Sequence, residues 1–92
     1  MIVTNMKSPQ TGKAVANQFI ITTEQGEYFQ SYESMIAFVP RYSGRTVLDE
    51  KYWDYSTTTS KYRNMFLSDN TSETRRKIKD GEYVLQDLNK GE

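Results

Sequence analysis

The segment from Tyr52 to Phe66, YWDYSTTTSKYRNMF, contains the residue types most typical of a binding site in this sequence. It holds five aromatic rings, five consecutive hydroxyl residues and the two cations Lys61 and Arg63. Aromatic rings beside basic side chains can stack on nucleic-acid bases, and Tyr, Trp and Arg are also enriched at the centres of protein interfaces. A structural interpretation competes with both, because large rings also fill the space between a helix and a sheet. We predict that Trp53 and Phe66 are core residues and that Tyr52, Tyr55, Lys61 and Arg63 face outward.

Two more groups of residues extend the set of candidates. The segment 71–80 carries a run of cations that could grip phosphates, although such a run is also typical of a solvated helix face. A predicted loop between two strands carries Arg41, Tyr42 and Arg45, and loops held by a rigid sheet often carry function. The candidate partner-binding residues are therefore Arg41, Tyr42, Arg45, Tyr52, Tyr55, Lys61, Arg63, Arg75, Arg76 and Lys79.

The residue types that are missing exclude much catalytic chemistry. The chain has no histidine and no cysteine, which rules out Ser-His-Asp and Cys-His machinery and thiolate zinc sites. Asp49, Glu50 and Asp54 are of the right type for Mg²⁺, but an acidic turn before a helix is the simpler explanation. The hydroxyl run 56–60 could bind a phosphate at a helix N-terminus, but no glycine-rich loop precedes it. We predict no catalytic residue, no metal and no cofactor, and hence a protein that is not an enzyme.

Charge and hydropathy narrow the choice of partner. Twelve Lys and Arg residues balance twelve Asp and Glu residues, so the formal net charge is zero. A neutral chain produces no bulk field that attracts nucleic acid, which disfavours such a partner. The longest apolar run, residues 35–39, is far shorter than the roughly 20 residues of a membrane span. With no signal-peptide core at the start, we expect a soluble cytoplasmic protein that does not enter membranes.

The first half of the chain has the pattern of an antiparallel meander. Alternating polarity, β-branched residues and aromatic residues mark the strand segments, and Gly, Pro, Ser and Gln mark the turns between them. The segment 35–39 is read either as a strand of its own or as the continuation of the strand before it after a bend. The predicted strand segments are Ile2–Met6, Ala14–Thr23, Tyr28–Tyr32, Met35–Val39 and Arg45–Leu48.

The second half changes to helical spacing. Asp54 or Ser56 can cap a helix that runs over 58–67, where Tyr62, Met65 and Phe66 form one apolar stripe. A second helix follows, and its residues are arranged as a capping box. Its N-cap is Asn70, Glu73 stands three residues on, and Gly81 provides the stop. This helix has little apolar surface and is expected to be mostly solvated.

A last strand over 82–88 is expected to rejoin the sheet, and residues 89–92 are expected to fray. The 92 residues form a single small domain. The fold class is α+β, with an antiparallel sheet of about four to five strands and two short helices inserted before the last strand.

Three stretches resemble other proteins: ANQFIITTEQGEYFQSYESMIAFV, LDEKYWDYSTTTSKYRNMFL and ETRRKIKDGEYVLQDL. They are similar to a group of small uncharacterised proteins that phages and mobile elements of low-GC Gram-positive bacteria encode. The likeness spans about Ala16 to Leu88 and is most specific from Trp53 to Leu67. It implies context only and transfers no catalytic or binding residue. Small phage accessory proteins often act as stoichiometric inhibitors of host systems, and these include anti-CRISPR proteins that bind a Cas effector.

We therefore expect a non-enzymatic phage accessory protein that binds and inhibits a host defence protein in the bacterial cytoplasm, with Cas9 as the first candidate partner. The alternative is a nucleic-acid-binding accessory module that uses the basic helix 71–80 and the Tyr/Lys/Arg platform. A weaker alternative is an enzyme or small-ligand binder in which aromatic rings and arginine hold a signalling nucleotide.

Overall fold

The computed structural model describes residues 1–90 as one sheet with two helices packed on one of its faces. The strands are β1 (Ile2–Lys7), β2 (Ala14–Thr22), β3 (Gly26–Ser31), β4 (Ser34–Pro40), β5 (Thr46–Asp49) and β6 (Tyr83–Gln86). The helices are α1 (Thr57–Leu67) and α2 (Thr71–Lys79).

The order of strands in the sheet follows the chain, from β1 at one edge to β6 at the other. β1 to β5 pair antiparallel, whereas β6 pairs parallel with β5. The parallel pairing requires a crossover, and α1 and α2 provide it by carrying the chain over one face of the sheet. The predicted α+β fold, with two short helices before the last strand, is confirmed. The sheet has six strands where the sequence predicts four to five.

The turn between β3 and β4 accounts for the larger number of strands. The segment 35–39 belongs to a strand of its own, because the chain reverses direction through Tyr32 and Glu33. Tyr32 has a φ of 56°, outside the extended region, so β3 ends one residue earlier than predicted. β6 is also shorter than expected and covers four residues.

Helix α1 begins where the hydroxyl run predicts. The side chain of Ser56 caps it by accepting a hydrogen bond from the backbone N–H of Thr59 at 3.1 Å. The face toward the sheet carries Thr59, Tyr62 and Arg63, and these are the buried residues of the helix. The prediction that Met65 belongs to the buried stripe is wrong. Steps of three and four from Thr59 pass through residues 62, 63 and 66, and they leave Met65 exposed at the side.

Helix α2 has the predicted capping box. Asn70 Oδ1 accepts from the Glu73 N–H at 2.8 Å, and Glu73 Oε1 accepts from the Asn70 N–H at 2.9 Å. Gly81, with a φ of 82°, lies just past the helix end. Thr74 is the buried residue of this helix, so the expectation of a mostly solvated helix is confirmed.

The core lies between the sheet and α1. Phe29, Ile36, Ala37 and Leu48 are fully buried there. The ring of Phe66 stacks on the ring of Phe29 with centroids 5.8 Å apart. Trp53 is half-buried and packs against the same cluster. The prediction that Trp53 and Phe66 help to join helix and sheet is confirmed.

The chain beyond β6 is tied to the sheet as far as Asn89. The side chain of Asn89 accepts from the Met35 N–H at 2.7 Å and donates to the Met35 carbonyl at 2.9 Å. The expected fraying of 89–92 is therefore wrong at residue 89, and residues 91 and 92 lie outside the described part of the chain. Within residues 1–90, no helix is both long enough and apolar enough to cross a membrane.

Candidate partner-binding surface

A buried carboxylate shapes the loop between β5 and α1, here called the aromatic loop (residues 50–56). Asp49 ends β5, and its Oδ2 accepts from the backbone N–H groups of Lys51 and Tyr52 at 3.0 and 2.8 Å. Asp49 Oδ1 accepts from the Leu88 N–H at 2.8 Å. Asp49 therefore holds backbone on both sides of the β5 end. Across residues 1–90, the acidic side chains form no group of three or more that could hold a metal ion.

A second set of contacts fixes Trp53 and Asp54 against the helices. Arg63 is fully buried and donates to the Trp53 carbonyl. Its guanidinium lies 3.5 Å from Asp54 Oδ1 and also donates to Asn64 Oδ1 and Thr71 Oγ1, both at 3.0 Å. Burial lowers the pKa of Arg63, and the carboxylate of Asp54 opposes that shift. We name Trp53, Asp54, Arg63 and the nearby Arg75 the Arg63 brace.

Arg75 completes the brace from α2. Its Nη2 lies 2.6 Å from Asp54 Oδ2, and the Trp53 ring lies within 5.8 Å of both guanidinium groups. The prediction that Arg63 faces outward for a partner is wrong. Arg63 shares the sheet-facing side of α1 with Tyr62, and the carbonyl and carboxylate of the aromatic loop compensate its charge there.

The brace leaves three tyrosines around an open cleft. Tyr52 and Tyr55 meet edge to face, with centroids 5.5 Å apart. Tyr32 reaches the same place from the turn between β3 and β4. Tyr55 and Tyr32 are 52% and 44% exposed. We call this the tyrosine cleft, which has a volume of about 510 Å³ and is lined by Asn17, Tyr32, Glu33, Ser34, Tyr52 and Tyr55.

A larger open groove lies on the other side of Tyr55. It measures about 760 Å³, and we call it the helix groove; its lining residues are Pro9, Asp54, Tyr55, Ser56, Thr57, Ser60, Lys61, Asn64, Met65 and Thr71. Lys61 sits at its rim, with Nζ 3.4 Å from Gln10 Oε1. Tyr55 is thus the wall that the two cavities share, and Met65 adds exposed apolar surface.

The backbone beneath the tyrosine cleft is unusual. Asn17 and Tyr32 are both non-glycine residues with positive φ, 66° and 56°. The Tyr32 N–H donates to the Asn17 carbonyl at 2.7 Å, which ties the two positions together. Such conformations cost about 1–3 kcal/mol and concentrate at functional sites. They fix where the Tyr32 side chain leaves the sheet.

The structure divides the predicted site residues into separate places. It brings Tyr52, Tyr55 and Lys61 together around the two cavities. The loop with Arg41, Tyr42 and Arg45 precedes β5, whereas the aromatic loop follows it, so the two lie at opposite ends of that strand. Tyr42 is 85% exposed, and Arg41 donates to the Thr23 carbonyl at 2.8 Å.

The basic helix is largely neutralised within the fold. Arg75 pairs with Asp54, and Arg76 lies 3.3 Å from Asp80 and 3.6 Å from Glu82. Lys77 lies 2.7 Å from Asp69, whereas Lys79 is exposed and has no ion pair in the described part of the chain. The run of cations that suggested a phosphate grip therefore faces acidic partners at three of its four positions.

Asp69, Lys77 and Tyr83 form a further polar cluster where the turn between the helices meets β6. Asp69 is buried and accepts from Lys77 Nζ and from the Tyr83 hydroxyl. Burial alone would raise the pKa of Asp69, but these hydrogen bonds outweigh it and hold the pKa below its ordinary value. The bond to Asp69 raises the pKa of Lys77. Burial, followed by the bond to Asp69, raises the pKa of Tyr83.

Sequence reasoning missed Tyr32, Asn17 and Met65 as parts of this surface. The sequence predicts Tyr32 inside a strand, where nothing distinguishes it from Tyr28. The positive φ values that place it depend on pairing between residues 15 positions apart in the chain, and no local motif records that pairing.

Comparisons with known proteins match the chain to a family whose function is unknown. A family model described as a family of unknown function (DUF8033) matches residues 1–82, from β1 through α2. No curated protein and no solved structure gives a match.

Proposed function

The chain belongs to the DUF8033 family of unknown function, and we propose that it is a non-enzymatic protein that acts by binding another protein. The observation that carries the proposal is the convergence of three partly exposed tyrosines on one cleft. Tyr32 comes from one chain segment, and Tyr52 and Tyr55 come from another. Tyrosine supplies large contact area with few torsions to immobilise, which is why it is enriched where binding energy concentrates.

The cleft has a rigid foundation, which favours binding further. Asp49 fixes the start of the aromatic loop through two backbone N–H groups, and the Arg63 brace fixes its middle through Trp53 and Asp54. A surface held in its binding conformation loses less conformational entropy when a partner docks. The two cavities beside Tyr55 offer concave places into which side chains of a partner can insert.

The resemblance to small phage-encoded proteins supplies the class of partner. We propose a host defence protein of the bacterial cytoplasm, with a Cas effector such as Cas9 as the first candidate, and inhibition through occupancy. This part of the proposal rests on that resemblance, and the tyrosine surface supports it by providing contact area. An interface of standard size takes about 800 Å² from each partner, so it would extend beyond the cleft to Lys61 and Met65.

Nucleic acid is the less favoured partner. Acidic side chains pair with three of the four cations on α2, and the net charge is zero. A nucleic-acid partner would give binding that weakens steeply with salt, because counterions are released. Gel shifts with single- and double-stranded DNA and RNA at low salt test this alternative directly.

The decisive experiment is affinity capture with matched tyrosine variants. Purified Cas9 is the first bait, and host lysate is the second. Tyr55→Ala and Tyr32→Ala should each weaken capture by about 30-fold, which corresponds to about 2 kcal/mol at an interface hot spot. Tyr42→Ala is the matched control, because Tyr42 is more exposed than either and lies at the other end of β5.

The outcomes test the contact surface and the identity of the partner separately. If Tyr42→Ala weakens capture and the two cleft variants do not, the tyrosine cleft is not the contact surface. If Cas9 is not captured while another defence protein is, the surface stands and the first candidate partner is wrong. Failure to retain any protein, together with a gel shift that high salt abolishes, would replace the proposal with the nucleic-acid alternative.

A further inference from the structure

The free edge of β1 is the least protected part of the sheet. We propose that β1 pairs antiparallel with β1 of a second copy, so that two sheets join edge to edge about a two-fold axis. Ile2 and Val3 are 65% and 57% exposed. Both are apolar, and as neighbours in a strand their side chains point to opposite faces of the sheet. This inference uses residues that do not line the tyrosine cleft, and it does not depend on the proposed function.

Strand geometry shows which backbone groups of β1 point to the free edge. The Thr23 N–H donates to the Gly26 carbonyl. The backbone N–H and C=O groups of odd-numbered residues of β2 therefore bond to β3, and those of even-numbered residues point toward β1. Thr22 and Ile20 are opposite Ile2 and Thr4. The N–H and C=O groups of Ile2 and Thr4 therefore serve the β1–β2 ladder. Those of Val3 point away from β2, toward a further strand.

The two edges of the sheet are protected differently. Natural edge strands avoid association by being short or by carrying charges, proline or bulges. β6 has four residues and is flanked by Glu82 and Asp87. β1 has no charged side chain before Lys7 and no proline, and its bulge lies at its far end, between Asn5 and Lys7. Its first half therefore exposes the apolar side chains of Ile2 and Val3 without a charged side chain, and it can accept a strand.

The face of the sheet away from the helices indicates a second copy as the occupant. Directly opposed residues form one apolar row across that face, namely Val3, Ile21, Tyr28, Phe38, Val47 and Val84. A two-fold axis perpendicular to the sheet pairs residues of the same face. With Val3 opposite Val3 of the second copy, the row continues unbroken from one sheet into the next, and both Lys7 side chains stay outside the paired segment.

The size of this contact sets the expected strength. A few paired residues cover far less than the about 800 Å² per partner of a standard interface, so the dimer should be weak and depend on concentration. Sedimentation equilibrium over concentrations up to about 1 mM, the Kd range of weak complexes, should show the average mass of the wild type rising toward that of a dimer. Val3→Lys should stay monomeric, because like charges would meet directly across the axis.

Cross-linking tests the register. The chain has no cysteine, so a disulfide in Val3→Cys can form only between copies. Directly hydrogen-bonded antiparallel residues have Cα atoms about 5.5 Å apart, within the range that a disulfide bridges. Under mild oxidation Val3→Cys should form dimers at least about tenfold faster than Tyr42→Cys, because pairing raises the local thiol concentration.

The controls allow the cross-linking rates to be interpreted even if one variant folds poorly. Both cysteine positions are exposed, and circular dichroism verifies that each variant is folded before oxidation. A wild type that stays monomeric throughout the concentration series overturns the proposal. A cross-linking rate of Val3→Cys no higher than that of Tyr42→Cys also overturns it, as does faster cross-linking of Thr4→Cys, which would place the axis elsewhere.

Discussion

At the scale of single residues, Arg63 and Arg75 share their partners but differ in burial. Both guanidinium groups bond to Asp54, and both lie over the Trp53 ring. Arg63 is fully buried, whereas the Arg75 side chain is 61% exposed. Burial removes water as a substitute partner, so the loss of Arg63 costs more than the loss of an exposed cation. Exposed ion pairs contribute little, because water and salt screen them.

We therefore expect unequal costs for the two alanine variants. Arg63→Ala should lower the free energy of unfolding by about 3 kcal/mol, because it takes a donor from the Trp53 carbonyl and the Thr71 hydroxyl and opens a cavity. Arg75→Ala should lower it by less than about 1 kcal/mol. Urea unfolding of both variants measures the difference. Equal losses would contradict the inference that burial makes Arg63 the more important of the two arginines.

Asp69 makes the stability depend on pH in a defined direction. Its pKa in the folded protein lies below the ordinary carboxyl value, so its stabilisation is present above that value, about 4, and is lost as the pH falls through the folded pKa. Asp69→Asn should be less stable than the wild type at pH 7, and the gap should narrow as the pH drops below about 4. Chemical unfolding over a pH series measures it, with the exposed Asp80→Asn as control. A gap of constant size would contradict the assignment.

The residue scale is also where sequence reasoning failed most. Composition identified Arg63 as a contact residue because arginine is enriched at interfaces. The buried side of α1 instead includes Thr59 together with Tyr62 and Arg63, so Arg63 points toward the sheet. The aromatic loop then supplies the Trp53 carbonyl as its acceptor. That acceptor lies ten positions away in the chain, so no local pattern could reveal it.

At the scale of elements, the caps of the two helices are encoded locally and were predicted. Asn70 and Glu73 satisfy each other's backbone N–H groups, which matters in a helix that has little apolar surface to hold it in place. Asn70→Ala should lower the free energy of unfolding by about 1 kcal/mol. Ser72→Ala, at an exposed position of the same turn, should change it by less than about 0.5 kcal/mol.

Hydrogen exchange locates the effect of that change. The N–H groups in the first turn of α2 should exchange faster in Asn70→Ala, while those of β3 keep their protection, because local opening of a surface helix need not unfold the sheet. Equal acceleration in α2 and β3 would contradict a local role for the cap.

The strands show a different balance between local and distant information. Alternation and β-branched residues gave the bounds of β1 and β2 to within a residue. The turn that separates β3 from β4 cannot be predicted from local sequence, since it depends on the link between Tyr32 and Asn17. The parallel pairing of β6 with β5 is also absent from any local pattern. It follows from the path of two helices that cross one face of the sheet.

At the scale of the whole molecule, the segment after β6 closes the structure near the candidate site. After β6 the chain turns back over the end of β5, where the Leu88 N–H bonds to Asp49, and reaches β4, where Asn89 bonds to both backbone groups of Met35. The same Asp49 shapes the aromatic loop, and Ser34, next to Met35, lines the tyrosine cleft. The segment after β6 and the candidate binding surface thus share their supports.

This arrangement makes Asn89 a test of how the molecule as a whole is held together. Asn89→Ala removes two hydrogen bonds that join positions 54 apart in the chain. It should lower the free energy of unfolding by about 1–3 kcal/mol, because the partly buried Met35 backbone loses both partners. Asn89→Asp keeps the acceptor alone and should fall in between, whereas Lys90→Ala, exposed and adjacent, should change it by less than about 0.5 kcal/mol. Urea unfolding ranks the three variants. A loss for Lys90→Ala as large as that for Asn89→Ala would mean that the chain end stabilises the sheet without this clamp.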